Sequence, residues 1–243
     1  MKLEGRVAIV TGAGQGIGRA IAQKLSQEGA TVVVADINEE TAGKTASDIG
    51  GFAYRVDVSS EEQVGGLVAE VVDRYGKVDV LVNDAAIVPF VPWEDLDFAQ
   101  WRKIMSVNLD GIFLTCHAVY PHMKAAGYGR IVNIASNVFV AGTPNLAHYA
   151  SAKGGVIGFT RSLATEVGKY GITVNAVAPG LTASEGVLAG QHAEAFDFVV
   201  SLQSIPRRGM PADIAPAVAF LASAEAAWVT GQMIVADGGH TRH

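Results

Sequence analysis

The sequence predicts a doubly wound α/β domain: a seven-stranded parallel sheet with helices on both faces. Three observations predict it. Short β-branched runs recur along all 243 residues, and helical patterns separate them. Most of the runs are continuously apolar rather than alternating, as befits strands covered on both faces. Strand alternating with helix implies right-handed βαβ crossovers, and therefore parallel pairing.

The first run, RVAIVTG (6–12), leads into a helical pattern over 16–28. TVVVA (31–35) follows, and Glu39-Glu40 reads as a solvated helix start, where acidic side chains suit the positive end of the helix dipole. FAYRVDV (52–58) precedes the clearest helix, 60–76, in which Val64, Leu67, Val68, Val71, Val72 and Tyr75 share one face. Ser60 and Gln63 have the spacing of a capping box for it. VDVLVN (78–83) is followed by a helix over 97–125, and GRIVNIAS (129–136) by one over 148–169. ITVNAVAP (172–179), a helix over 211–223 and MIVAD (233–237) complete the series. The stretch 180–210 is long and mixed in pattern, and residues 182–208 are expected to form a flap over a site. No linker composition divides residues 1–243, so one domain is expected.

Apolar residues make up 49% and charged residues 17%, which supplies a large core and excludes a disordered chain. With 18 Lys and Arg against 24 Asp and Glu the net charge is −6, which argues against a nucleic-acid surface. The single cysteine, Cys116, cannot make an intrachain disulfide and reads as a small buried hydrophobe in a reducing compartment. The apolar run at 7–10 is too short for a signal peptide, and nothing approaches the roughly 18 apolar residues of a membrane span. A cytoplasmic protein with a small-molecule partner is expected, with neither nucleic acid nor membrane bound.

TGAGQGIG (11–18) lies between the first strand and the first helix. Its spacing is G-x-x-x-G-x-G on Gly12, Gly16 and Gly18 rather than G-x-G-x-x-G, with Gln15 and Ile17 between the glycines. Such a turn lets backbone approach a pyrophosphate and aims a helix N-terminus at the anion, as in a Rossmann fold. Asp36 ends the second strand, where a carboxylate accepts both hydroxyls of an adenosine ribose and repels a 2′-phosphate. Neither Gln15 nor Ile37 is basic, so NAD is expected over NADP. A rival phosphate loop at Gly43-Lys44-Thr45 fails, because Asn38 stands where its upstream glycine belongs.

Tyr149 and Lys153 lie four apart on a predicted helix and project from one face. A neighbouring ammonium favours a phenolate, which is expected to bring the phenol from about 10 toward working pH and make it a usable acid and base. Ser136 closes the fifth strand at its C-terminal end, where its hydroxyl can bond a substrate oxygen.

From end to end the chain resembles the short-chain dehydrogenase/reductases. Thr11-Gly12-x-x-x-Gly16-Ile17-Gly18 is similar to their glycine motif, and Ser136 with Tyr149-x-x-x-Lys153 to their active site. The resemblance implies that Asn108 is a fourth catalytic member in a water-linked relay through Lys153, which also holds the nicotinamide ribose. It implies that Asp57 and Val58 flank adenine, that Asn83 and Ala85 lie near the adenosine, and that Pro179, Gly180, Thr182 and Ser184 lie on the nicotinamide side. It further implies a homotetramer. Asn83-Asp84-Ala85-Ala86 departs from the family's N-N-A-G. The family's second Asn ties adjacent strands, and Asp84 cannot donate an amide's hydrogen bonds, so a cost in stability or an altered cofactor affinity is expected.

The stretches 87–104, 134–145 and 152–181 resemble family members that oxidise ring-bearing alcohols. Pyridoxal, reacting as its cyclic hemiacetal, is the leading substrate on that resemblance, and an aryl or cyclic secondary alcohol, hydroxysteroids included, is the alternative. Candidate substrate contacts are Ser136, Asn137, Val138, Thr143, His148 and Tyr149, with Val88, Phe139, Val187, Phe196 and Phe198 around them. His148 reads more readily as a plain surface or cap histidine than as a substrate contact, and His192 in the expected flap is similarly ambiguous. Trp93, Trp101 and Trp228 read as packing or interface residues. His117, His122, His240 and His243 lack metal-ligand spacing, so no metal is expected. A non-catalytic NAD sensor on this fold predicts loss of a catalytic member, yet Asn108, Ser136, Tyr149 and Lys153 are all present.

Overall fold

The strands are β1 (Val7–Thr11), β2 (Thr31–Asp36), β3 (Phe52–Arg55) and β4 (Val80–Asn83), then β5 (Gly129–Ile134), β6 (Ile172–Pro179) and β7 (Met233–Ala236). They form one parallel sheet in the order β3-β2-β1-β4-β5-β6-β7. The structure is a computed structural model that describes residues 1–189 and 193–242. His192 and His243 lie outside the described residues.

Between the strands run α1 (Gly16–Gln27), α2 (Glu39–Ile49) and α3 (Glu61–Tyr75). α4 (Phe98–Met105), α5 (Gly111–Ala126), the single turn α6 (Val138–Ala141) and α7 (Ala147–Val167) follow. α8 (Glu185–Leu188), α9 (Ala193–Leu202) and α10 (Pro211–Ala222) complete the set.

Both faces of the sheet are covered, which is why its strands read as unbroken apolar runs. On one face Ile9, Val33, Leu81, Ile131 and Val174 pack against Leu67 and Val71 of α3, Val119 and Met123 of α5, and Val156 of α7. On the other, Val10, Val34, Val82 and Val132 meet Ile21 and Leu25 of α1, Ala46 of α2, and Val218 of α10. Each such fully buried aliphatic side chain stabilises the fold by about 1.5–3 kcal/mol.

Local chemistry moves several expected boundaries. β3 stops at Arg55 rather than 58, because the Asp57 carboxylate accepts from the Ser59 amide (2.9 Å) and hydroxyl (2.6 Å) and turns the chain. The Ser60 cap forms, its hydroxyl accepting from the Gln63 amide at 3.3 Å. The Gln63 side chain does not complete the expected box; it accepts instead from the Asp57 amide at 2.9 Å. Helix 97–125 is interrupted by a π-helical turn, Ser106–Asp110, between α4 and α5, and such insertions gather at functional sites. Among the described residues no helix is long and apolar enough to cross a membrane.

Candidate active site

β1 has β2 on one side and β4 on the other. The strand order reverses there, opening a crevice at the carboxyl ends of the strands. The Thr11 hydroxyl, ending β1, accepts from the Asp84 and Ala85 amides at 3.1 and 3.2 Å and so sets the depth of the crevice. Gly12 has φ +68°, and a Cβ there would lie 2.8 Å from the backbone of Ala85. Gly18 is equally constrained: its missing Cβ would overlap the Gly12 carbonyl oxygen. The glycine spacing follows from this close threading of turn, strand end and helix. A pyrophosphate fits a cradle of this kind, with amides directed outward at the start of α1.

Those amides already face carboxylates of the chain. Gly14 N–H donates to Asp36 Oδ2 at 2.8 Å, and Asp36 Oδ1 accepts from the Asn38 amide at 2.9 Å. Gly16 N–H donates to Glu185 Oε2 at 2.9 Å, and Glu185 also pairs with Arg19. The Asp84 carboxylate lies against Gly18, whose N–H favours its charged form. Asp36 was legible in the sequence; Glu185 was not, since it lies 169 residues from Gly16. Gln15 and Ile37 are exposed, and Ile17 is half-buried.

Next to the turn, hydrogen bonding from Ser59 holds the Asp57 carboxyl below the usual carboxylate range. Val58 is buried against Gly111. The tie between strands is made by Asn83, whose Nδ2 donates to Asn133 Oδ1 at 2.9 Å while Thr115 donates to its Oδ1 at 2.7 Å. The expectation that position 84 carries this tie is therefore corrected. Asp84 faces the opposite way, toward Gly18. Loss of solvent pushes its carboxyl above the ordinary range; Lys153 and the Gly18 amide oppose that shift, and Asp36 adds to it.

At the far side, the Pro179 carbonyl accepts from the Asn137 amide at 3.0 Å, and Gly180 N–H donates to the Ala236 carbonyl at 3.1 Å. Thr182 is buried and its hydroxyl donates to the Gly180 carbonyl at 3.0 Å. The Ser184 amide donates to the Thr182 carbonyl at 2.8 Å, which brings its side chain against Gly16. The segment that opens at Ser184 thus lies against the glycine turn.

Ser136, Tyr149 and Lys153 lie in one buried cluster, the lysine only 1% exposed. Lys153 Nζ donates to the Ile134 carbonyl at 2.6 Å and stands 5.7 Å from the centre of the Tyr149 ring. The Ser136 hydroxyl accepts from the Val138 amide at 3.3 Å and faces the Tyr149 phenol, whose ionised form it favours. The expected lowering of the phenol does not appear. Burial drives Tyr149 well above its ordinary value, the Ser136 hydroxyl opposes this, and the Asp84 charge adds to it. Burial lowers the Lys153 ammonium, and Asp84 raises it. Desolvation dominates the phenol in the protein by itself.

Asn108 lies in the π-helical turn, fully buried. Its amide is committed at both ends to Ile87, accepting from the backbone N–H and donating to the C=O, each at 2.9 Å. The side chain therefore fastens the loop after β4 to the wall of the site.

Of the candidate substrate contacts, Asn137 is buried and bonded to Asp237 (3.0 Å) and His240 (3.3 Å). Val138 and Thr143 are half-buried around α6. His148 is neither a surface nor a cap residue. It is fully buried, neither ring nitrogen makes a regular hydrogen bond among the described residues, and burial lowers its pKa against the Pro89 carbonyl facing it. Phe196 is buried beneath Arg208, whereas Val88 and Phe198 are exposed. Trp93 and Trp228 are 78% and 99% exposed, so neither packs within the chain. Asp237 had no motif to announce it, yet it accepts from the Gly239, His240 and Thr241 amides and from Asn137. No cluster of metal-binding side chains occurs among the described residues.

The family model described as enoyl-(acyl carrier protein) reductase matches residues 12–241. The chain is 40% identical to cis-4-hydroxycyclohexanecarboxylate dehydrogenase of Sinomonas cyclohexanicum, over 97% of this chain and 96% of the relative. It is 38% identical to cyclohexanol dehydrogenase of an Acinetobacter species, over 99% and 96%. The crystal structure of ribose-5-phosphate isomerase from Brucella melitensis 16M superposes with TM-score 0.94 at 38% identity, covering 98% of this chain and 93% of that one.

Proposed function

We propose that this chain, which belongs to the short-chain dehydrogenase/reductase family, oxidises a ring-bearing secondary alcohol or cyclic hemiacetal with NAD. The observation that carries the reading is the buried Ser136–Tyr149–Lys153 cluster beside a glycine-lined nucleotide crevice. NAD supplies the hydride acceptor when bound. The glycine turn would hold its pyrophosphate, and Asp36 its adenosine ribose.

Ser136 donates to the substrate oxygen and keeps that oxygen against Tyr149, which takes the hydroxyl proton as the alcohol becomes a carbonyl. Tyr149 is held neutral by burial. Its ionisation therefore depends on a site completed by cofactor and substrate, with Lys153 supplying the positive charge. The Asn108 side-chain amide is occupied by Ile87, so a water-linked relay through Lys153 does not draw on that amide in this arrangement. Asp36 supports NAD over NADP, because its carboxylate would repel a 2′-phosphate and both its oxygens are already fixed by Gly14 and Asn38.

Pyridoxal as its hemiacetal is the leading substrate on the resemblance of 87–104, 134–145 and 152–181. Simple cyclic alcohols are the second reading, supported by the two relatives named for cyclohexane-ring substrates. A homotetramer is expected, and the exposed Phe113, beside a groove of about 500 Å³ that Leu109 and Phe159 also line, supports association between copies. Sedimentation would show four chains per particle if this is right.

The test is formation of reduced cofactor from NAD or NADP with pyridoxal, 1-phenylethanol, cyclohexanol and a hydroxysteroid. Reduction of NAD with at least one ring alcohol supports the reading; no reduction with any removes it. Asp36→Ala is expected to weaken NAD more than NADP, and equal losses would contradict the ribose contact.

A further inference from the structure

We propose that Asp84 is a positioning residue for the active site: the buried counter-charge that holds Lys153 as an ammonium, anchored on the glycine turn. The inference rests on the function proposed above for Lys153, and it begins with strand register. Asn83 of β4 pairs with Asn133 of β5, so Asp84 and Ile134 are the next neighbours on strands roughly 4.8 Å apart. Lys153 Nζ is bonded to the Ile134 carbonyl. The ammonium is thus fixed at the strand end next to the one that carries Asp84, at the floor of one crevice.

The carboxylate cannot swing freely. The Asp84 backbone N–H is held by the Thr11 hydroxyl at 3.1 Å, and its side chain lies against Gly18, whose N–H favours the charged form. Its Oδ2 would lie 2.7 Å from a Cβ on Gly18, so Gly18 leaves it just enough room. An ammonium as buried as Lys153 needs an opposing charge to remain protonated. Asp84 is the group whose charge favours that form. The other groups facing this pair are the Asp36 carboxylate, across the turn, and the Tyr149 phenol with Ser136, on the side of α7.

One acid therefore links the turn that takes the pyrophosphate to the lysine that serves the phenol. Asp84→Asn keeps the shape and an acceptor oxygen beside Gly18 while removing the charge. Without it, desolvation of Lys153 is unopposed, and the ammonium loses its proton at lower pH.

The test follows Lys153 directly, in protein labelled with ¹³C at lysine Cε, its resonance assigned by its disappearance in Lys153→Arg. Asp84→Asn is expected to move the Lys153 titration downward by about 1 pH unit. Asp84→Ala, a second variant should the first not fold, is expected to move it the same way. An unchanged or raised titration overturns the proposal. The alkaline limb of kcat, where a neutral Lys153 ceases to support Tyr149, should shift downward too; a merely structural role would lower kcat and leave that limb in place. If neither the parent protein nor the variant reduces NAD with any alcohol, the proposed function fails, and the NMR titration still decides the role of Asp84.

Discussion

Asp79 stands just before β4 and holds the amino end of the neighbouring strand, β1. Its carboxylate accepts from the Val7 amide (2.9 Å), from Arg6 (2.8 Å) and from Lys77 (2.9 Å). Burial acts to raise its pKa, but the bonds from Val7, Lys77 and Arg6 prevail and lower it. Both cations are partly exposed, so Asp79→Ala is expected to cost about 2 kcal/mol in urea unfolding rather than the full penalty of a broken buried pair. The native carboxyl is the more acidic. The contribution is therefore complete above the unfolded value of about 3.9 and fades as pH falls through the lower folded one. A difference between parent and variant that does not shrink in acid would contradict this. At the same scale, the sequence carried the identity of the site residues but not their environment. Tyr149 and Lys153 are legible from i, i+4 spacing, whereas the raised phenol depends on burial that no local pattern encodes. His148, next in sequence to Tyr149, was ambiguous for the same reason.

Elements were legible wherever one period persisted. α3 carries its apolar stripe and caps in contiguous sequence, and its observed span differs by a single residue at each end from the expected 60–76. The helix expected over 97–125 breaks into α4, a π-helical turn and α5. The cause is tertiary: the Asn108 amide lies opposite the Ile87 backbone, a partner 21 residues away. The segment expected to form a flap shows the same limit: the contact of α8 with the glycine turn joins Glu185 to Gly16 and Arg19 across most of the chain. This contact sets a carboxylate where a dinucleotide's pyrophosphate would draw on the Gly16 amide. Glu185→Ala is accordingly expected to tighten NAD binding several-fold, about 1 kcal/mol for a half-exposed charged contact. Fluorescence titration measures it, and weaker binding in the variant would show that Glu185 helps to hold the cofactor instead.

Across the whole molecule, seven apolar runs separated by helical patterns were enough to establish a parallel sheet, because handed crossovers leave few alternatives, whereas the strand order and its switch point are set by the fold. That topology brings Thr11, Asp84, Ser136 and Pro179, from four different strand ends, to one crevice. Side chains that then compete for the same amides and the same buried charge were beyond sequence pattern, since their partners are set by the fold. On the function proposed above, the Tyr149 phenol exchanges the substrate proton in this crevice while the glycine turn holds the dinucleotide. Tyr149→Phe separates the two most directly, with NAD affinity and turnover of the best ring alcohol measured on one preparation. The expected result is unchanged NAD affinity with turnover reduced at least about 10²-fold; turnover close to that of the parent protein would contradict the account.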